Sequence, residues 1–359
     1  MKVRVLALAL LLAGCSGTPA TPATPAPAAT DPGSASPPSP APAAPVDLRL
    51  VFAGDVHFME RTAALLKNPA TAFGPIAATL SDADLTVVNL ETAITSRGTP
   101  EPKTYHFRTE PKAIDALKAA GIDAVTIANN HALDYGRVGL LDTLDALHAA
   151  AYPYVGAGRN ADDAYAPWYT TIKGVRIALL GFSQVHELAS TWAPGPDKPG
   201  IAMAFDTKRA TAAVTAARAQ SDLVIVFNHW GEEANSCATA EQKTFAAQLA
   251  KAGADIIIGA HAHTLQGSGW LGGAFVAYGM GNFLWYGTSK STETGVLRLT
   301  VRARTVTRTE FLPAVVSDTG QPVLLSGSQA TKLSQRYSGL RSCAALSPAP
   351  SPATSQNPS

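Results

Sequence analysis

Charge is scarce in this chain and evenly split: 28 Lys and Arg stand against 27 Asp and Glu in 359 residues, a net charge of +1. A nucleic-acid binder gathers basic residues into a patch or stripe. This balance therefore excludes nucleic acid as the expected partner, while leaving room for an anion held by a few local groups. Cysteine is scarcer still, at three, too few for the disulfide framework of a small secreted scaffold. The apolar run near the N-terminus, Val5 to Ala13, is far short of the roughly 20 residues that a membrane-spanning helix needs. Hydrophobic residues are plentiful overall, at 46%, and in a chain of this length they suffice for one large core in one or two domains.

Lys2 and Arg4 precede the Val5–Ala13 run, which closes on Leu12-Ala13-Gly14-Cys15. A basic start and a short apolar segment read as a secretory signal. The closing residues resemble the bacterial lipobox, in which the cysteine is acylated and becomes the first residue of the mature protein. The expectation is an extracytoplasmic protein with a lipoprotein signal at 1–15, anchored to the cell membrane through lipidated Cys15. The alternative is an ordinary secreted protein with a stray cysteine. Residues 16–46 are almost all Pro, Ala, Thr, Ser and Gly, a composition that does not pack and favours extended conformations, so they read as a disordered tether. Residues 347–359 read as a disordered tail for the same reason. Setting Cys15 aside leaves Cys237 and Cys343, an even pair in an oxidising compartment. A disulfide between them would pin a C-terminal extension, 316–346, to the loop after His229; two separate thiols are the other reading.

The region between repeats one pattern: an acidic residue, a β-branched or apolar run, then polar residues capable of chemistry. Asp84-Leu-Thr-Val-Val-Asn-Leu-Glu91, Asp123-Ala-Val-Thr-Ile-Ala-Asn-Asn-His131, Asp222-Leu-Val-Ile-Val-Phe-Asn-His229 and Asp255-Ile-Ile-Ile-Gly-Ala-His-Ala-His263 all follow it, and Leu48 to Asp55-Val-His57 reads alike. Such runs suit strands buried on both faces. Helical patterns over Glu110–Ala120, Asp206–Gln220 and Ala238–Ala252 precede three of them, the alternation expected of an α/β protein. After about residue 265, Ala274–Tyr278, Gly295–Arg304 and Thr305–Phe311 read as strands without helices between them, which predicts a second, more antiparallel sheet.

In α/β sheets, ligands gather at the carboxyl ends of strands. Those ends carry Asp55, His57, Glu91, Asn130, His131, His229, His261 and His263, five of the chain's eight histidines among them. Neutral imidazole is the commonest metal ligand, and this set of nitrogens and oxygens suits Zn, Mn or Fe. A bimetal pair would activate water and clamp the oxygens of a phosphoryl group. Arg61, Lys103, Arg108, Glu233 and Asn282 form the candidate substrate-binding shell, against the plain alternative of solvated surface charges or a turn residue. Asp134 is expected to orient His131 or its loop. His106, His148 and His186 read as structural or surface residues. Trp230, Trp270, Trp285 and Tyr286 either line a groove or pack the core.

These motifs resemble the calcineurin-like metallophosphoesterases, whose pattern runs D-x-H, GD-xx-D, GNH-[DE], H and G-x-H-x-H. More closely, Asn89-Leu-Glu-Thr92, Ala128-Asn-Asn-His-Ala-Leu-Asp-Tyr-Gly136, His229-Trp-Gly-Glu-Glu233 and Tyr278-Gly-Met-Gly-Asn-Phe283 resemble the CapA branch associated with poly-γ-glutamate capsule synthesis. The likeness spans roughly residues 47 to 300 and implies an α/β/β/α sandwich of two packed mixed sheets flanked by helices, with the domain at 47–315. It implies two divalent ions: Asp55, His57 and His263 on one, Asn130, His229 and His261 on the other, and Glu91 between them. His131, with Asp134 beside it, becomes the catalytic general acid. The departure is Asn89-Leu-Glu91, which stands where the pattern has Gly-Asp and puts full catalytic competence at issue. Three functions therefore stand open: a phosphoester hydrolase of capsule or envelope polymer metabolism; a non-catalytic factor that binds or helps export an anionic polymer alongside membrane partners of capsule synthesis; and metal-dependent amide hydrolysis within the polymer.

Overall fold

The computed structural model describes residues 46–287 and 292–351. The expected lipoprotein signal, the tether up to residue 45 and residues 352–359 lie outside the described residues. Two sheets pack face to face. The eight-stranded sheet runs Pro322–Leu324, Thr305–Val316, Glu293–Arg302, Asp47–Val56, Leu85–Leu90, Ala124–Thr126, Tyr154–Val155, with Asn282–Leu284 joined to the end of Asp47–Val56. The six-stranded sheet runs Ser268–Leu271, Ala274–Ala277, Ile256–His261, Leu223–Trp230, Val175–Ser183, Trp168–Ile172.

Alternation along each strand builds the layers. Leu50, Phe52 and Val87 of the first sheet meet Leu179, Ile225, Phe227 and Ile258 of the second in a shared core. The intervening residues face outward: Val51, Ala53, Val88 and Val125 pack on the helices Lys112–Ala119 and Gly136–Ala149. Val224, Val226 and Ile257 pack on Thr207–Gln220 and Ala240–Ala252. Both faces of the central strands are thus covered, which is why their sequences read as unbroken apolar runs. The architecture is the expected α/β/β/α sandwich of two mixed sheets with flanking helices.

The expectation of a separate antiparallel sheet after residue 265 is corrected. Glu293–Arg302 and Thr305–Val316 form a hairpin, but the hairpin adds antiparallel to Asp47–Val56 and so extends the first sheet. Ala274–Ala277 adds parallel to Ile256–His261 in the second. The local pattern specifies a strand; which edge the hairpin joins depends on a partner over 200 residues away, Asp47–Val56.

The recurring aspartates have a structural job at the opposite end of the strands from the candidate chemistry. Asp84 Oδ2 accepts from Arg49 N, Asp123 Oδ2 from Thr86 N, Asp222 Oδ2 from Arg176 N and Asp255 Oδ2 from Val224 N, each at 2.8 Å. Each aspartate's own amide donates to the carbonyl of that same residue. Every one of these strands therefore starts by gripping the strand beside it with side chain and backbone together, which sets parallel register at its foot.

Cys237 and Cys343 form a disulfide with Cα atoms 5.4 Å apart, tying the short helix Arg341–Ala344 to the loop after Leu223–Trp230. The tail differs from its expected disorder at its start: Ser347 exchanges two 2.9 Å backbone hydrogen bonds with Trp270, and Ser351 N donates to Gly272 O. Composition alone does not register the open sheet edge that this segment covers.

Candidate metal centre

Three of the five candidate strands belong to the first sheet and two to the second, and their carboxyl ends meet across the sandwich. Register places Asp55 between Asn89 and Asn282, and pairs Trp230 with His261. Two glycines allow the approach. A Cβ on Gly54 would lie 1.7 Å from the Gly281 carbonyl oxygen, and one on Gly259 would lie 1.9 Å from that of Tyr278. His261 and His263 both adopt left-handed backbone, at φ 88° and 51°, a conformation costly for residues with a Cβ. It turns both rings of the His-Ala-His run toward the cluster.

The side chains fall into two halves. In one, His57 Nε2 lies 3.2 Å from Glu91 Oε2, and His263 Nδ1 lies 3.4 Å from Asp55 Oδ2. In the other, His229 Nε2 lies 2.8 Å from Asn130 Oδ1, 3.1 Å from His261 Nδ1 and 3.3 Å from Glu91 Oε1. Glu91 thus turns one oxygen to each half. Donor atoms of Glu91, His261 and His263, and of Asp55, Glu91 and His229, lie within 4.8 Å of one another. Both oxygens of Glu91 and both ring nitrogens of His57 are fully buried without a hydrogen-bond partner. Buried polar groups left so are costly, and cations bound here would relieve the two Glu91 oxygens and one ring nitrogen of His57. The residues present therefore fit a divalent metal centre, with the mixed N and O donors that Zn, Mn or Fe accept.

Electrostatics at Glu91 and His261 agree with that chemistry, whereas His263 is held as the cation and would give up a proton to a bound metal. Burial opposes ionisation of Glu91, but His229 and His57 outweigh it and hold the carboxyl well below its ordinary value. Burial, aided by His229 and His263, holds His261 well below the usual histidine range, so it presents a neutral lone pair. Burial also works to lower His263, but Asp55 and Glu91 overcome it and raise it to about 9.

His131 stands just off the cluster, its Nε2 3.9 Å from Glu91 Oε1. Its Nδ1 lies 2.7 Å from Asp134 Oδ2, and its ring stacks on Phe107 at 3.9 Å. Asp134 Oδ2 also accepts from Phe107 N at 2.5 Å. Burial and then Lys103 hold His131 well below its usual value, while burial pushes Asp134 up to about 7 against the pull of Lys103.

Of the expected substrate-binding residues, Asn282 is buried beside His263, its Oδ1 2.7 Å from Nδ1. Glu233 lies on the exposed loop next to that histidine. Arg61 differs from expectation: its guanidinium is committed to the carbonyls of Trp285, Asp318 and Gly287. Arg108 differs too, lying over the Tyr135 ring at 4.5 Å and lining a separate cleft of about 690 Å³. Lys103 is internal, joined to Asp134. His186 is exposed and pairs with Glu241, while His106 bonds the Glu101 carbonyl. The tryptophans divide: Trp230 is core, bonded to Tyr278 O, whereas Trp285 and Tyr286 flank His57 at 4.8 and 5.7 Å.

Sequence reasoning misses Asn89, Asn129 and Glu187. Asn89 Nδ2 lies 2.8 Å from Asp55 Oδ1 and 3.2 Å from His229 Nδ1, so one amide orients a residue from each half. Asn129 Nδ2 donates to Asn89 Oδ1, and its own Oδ1 accepts from His131 N. Both sit inside the quoted motifs, and a buried amide at a strand end is the signal that marks them. Glu187 lies in a loop without a motif.

The fold and the site define an α/β/β/α sandwich that carries a buried imidazole–carboxylate centre fit for metal at its converging strand ends. Residues 49–286 match the family described as bacterial capsule synthesis protein PGA_cap, and the chain belongs to that family. It is 31% identical over 223 residues to the capsule biosynthesis protein CapA of Bacillus anthracis, covering 61% of this chain and 54% of that one. It is likewise 31% identical over 213 residues to the PGA biosynthesis protein CapA of Bacillus subtilis, covering 59% and 55%. The chain thus spans about half the length of the curated relatives it matches. Among solved structures it resembles a novel phosphatase from Mycoplasma pneumoniae, at 16% identity and TM-score 0.49 over 80% of this chain and 97% of that one.

Proposed function

We propose that this protein is a CapA-type hydrolase, held outside the cytoplasm by lipidated Cys15, that uses two divalent ions to cleave phosphoester bonds in capsule or envelope polymer metabolism. The substrate class of this reading is a phosphoester of that metabolism; poly-γ-glutamate, an anionic polymer joined by amide bonds, is the ligand of the binding and amide-hydrolysis readings. The observation that carries the reading is the unpartnered, fully buried Glu91–His57 pair inside a ring of further donors. Asp55, His57 and His263 would hold one ion and Asn130, His229 and His261 the other, with Glu91 shared. When bound, the ions supply an activated water and charge neutralisation at a phosphoryl group. Asn89 orients Asp55 and His229. Asp134 holds Nδ1–H of His131 and so turns Nε2 toward the cluster; to act as general acid the imidazole must first take up a second proton at Nε2, which it would then pass to the leaving oxygen while Nδ1–H stays on Asp134. Among the described residues no helix is long and apolar enough to cross a membrane, so the proposed anchor rests on the lipobox resemblance.

The test is metal content per chain, together with turnover of a phosphodiester and a phosphomonoester with Mn, Zn or Fe. His131→Ala is expected to lower kcat about 10²–10⁴-fold, the usual contribution of a general acid. Bound metal without any His131-dependent turnover overturns the enzyme reading. It favours the second reading, a factor that binds or helps export an anionic polymer with capsule-synthesis partners in the membrane. That reading draws on relatives named for biosynthesis and on Glu91 in the place of an aspartate. Shortening of poly-γ-glutamate without phosphoester turnover selects amide hydrolysis. For the anchor, Cys15→Ala should move the protein out of the membrane fraction, and its retention there removes the lipid-anchor proposal.

A further inference from the structure

Lys103 does not behave as a surface cation. Its side chain is 2% exposed, and its ammonium lies 3.0 Å from Asp134 Oδ1 and 3.0 Å from Glu187 Oε2, while donating to the backbone carbonyl of Asn130. Two of these contacts are ion pairs and the third a hydrogen bond, and the ammonium also lies 3.5 Å from His131 Nδ1, so its charge is engaged inside the protein and not offered at the surface. The same nitrogen sits 5.2 Å over the Trp192 ring, and Asn130 Nδ2 lies 3.5 Å from Glu187 Oε2. Three segments distant in sequence therefore meet on one atom: the loop before Arg108, the Asn130–Asp134 loop, and residues 187–192. The last is fixed in turn by Arg137, which donates to the carbonyls of Thr191 and Pro199.

We propose that Lys103 is a positioning residue which, with Glu187, clamps Asp134 and the Asn130 backbone so that His131 keeps Nδ1 on Asp134 and Nε2 toward Glu91. Its catalytic consequence rests on the reading of His131 as general acid; the clamp itself does not. Lys103 acts through Asp134, whose second oxygen is freed to hold the imidazole because the first is held by the ammonium. Glu187, on the far side, stops the ammonium from swinging out of the loop.

The test uses the full chain. In the metal-free protein with 15N-labelled histidine, the Nδ1–H resonance of His131 is identified by its loss in His131→Ala. Lys103→Met is expected to shift or abolish that resonance. Glu187→Gln, at a side chain 40% exposed and so tolerant of change, is expected to shift it in the same direction by less. In the metal-loaded protein acting on a phosphodiester, Lys103→Met should lower kcat about 10–100-fold, the usual effect of removing a supporting partner, with KM within about two-fold. A His131 resonance unchanged in both variants overturns the proposal, and so does a raised KM at unchanged kcat, the signature of a substrate-binding cation. If the unaltered protein turns over no phosphoester while the resonance still moves in both variants, the clamp stands and the phosphoesterase reading falls.

Discussion

Glu91 carries its charge at the floor of the sandwich, fully buried, with an imidazole on either side and no hydrogen bond to either oxygen. One carboxylate, placed just past Leu85–Leu90, reaches His57 at 3.2 Å and His229 at 3.3 Å. The departure from the family pattern thus falls at a residue that still faces both halves. Substituting Glu91→Gln keeps the shape and removes the charge. Saturating metal at 100 times its Kd should stabilise the unaltered protein by about 2.7 kcal/mol, and this metal-dependent rise in Tm should largely vanish in the variant. Equal rises in calorimetry would remove Glu91 from the centre. The histidines and carboxylates were legible in the sequence because each closes an apolar run. Lys103 was legible only as a candidate substrate-binding cation, and its pairing with Glu187 was not, because an ion pair between loops more than 80 residues apart leaves no local pattern.

The strands show a division of labour along their own length. At the foot an aspartate fixes register, and at the head a histidine, amide or carboxylate faces the cluster. The opening acidic residue reads as part of a functional pattern in the sequence, yet its work is structural. Asp84 makes the point testable. Burial works against its charge, but the Arg49 amide and Lys173 outweigh this and bring its pKa below the ordinary 3.8. A carboxyl lowered in the folded state adds stability that is complete above its unfolded pKa and is lost as pH falls through its folded one. Asp84→Ala should therefore cost about 1–3 kcal/mol at pH 7, the range for hydrogen bonds to a charged group. Its deficit against the unaltered protein should begin to shrink below about pH 4, where the unfolded carboxyl takes up its proton, and should go on shrinking until pH has fallen through the lower folded value. Denaturant melts at pH 7 and pH 3 with the same deficit would contradict this.

Over the whole molecule, the Cys237–Cys343 bond, 106 residues apart in sequence, lashes the C-terminal helices to the loop after His229. That loop is itself held to the His261–Thr264 turn through Ala234 N and Ala262 O at 2.8 Å. Closing so long a loop restricts the unfolded chain, and removing such a bond typically costs about 2–5 kcal/mol. Cys343→Ser is expected to lower Tm to the value the unaltered protein shows in reductant. A Tm that is insensitive to reductant would mean that the bond contributes nothing to stability.

The sequence alone determined the strands, the helices before them and the ring of donors at the strand ends, because each is written in short-range periodicity or residue chemistry; it left Cys237 and Cys343 as a pair or two thiols, and the fold joined them. Only the tertiary structure decided that the final hairpin extends the first sheet, that Arg61 and Arg108 turn to other partners, and that Asn89, Asn129, Lys103 and Glu187 orient the donors. Each of those outcomes depends on which surfaces meet when two sheets close on a shared core, and burial between distant segments leaves no periodic trace in any one of them.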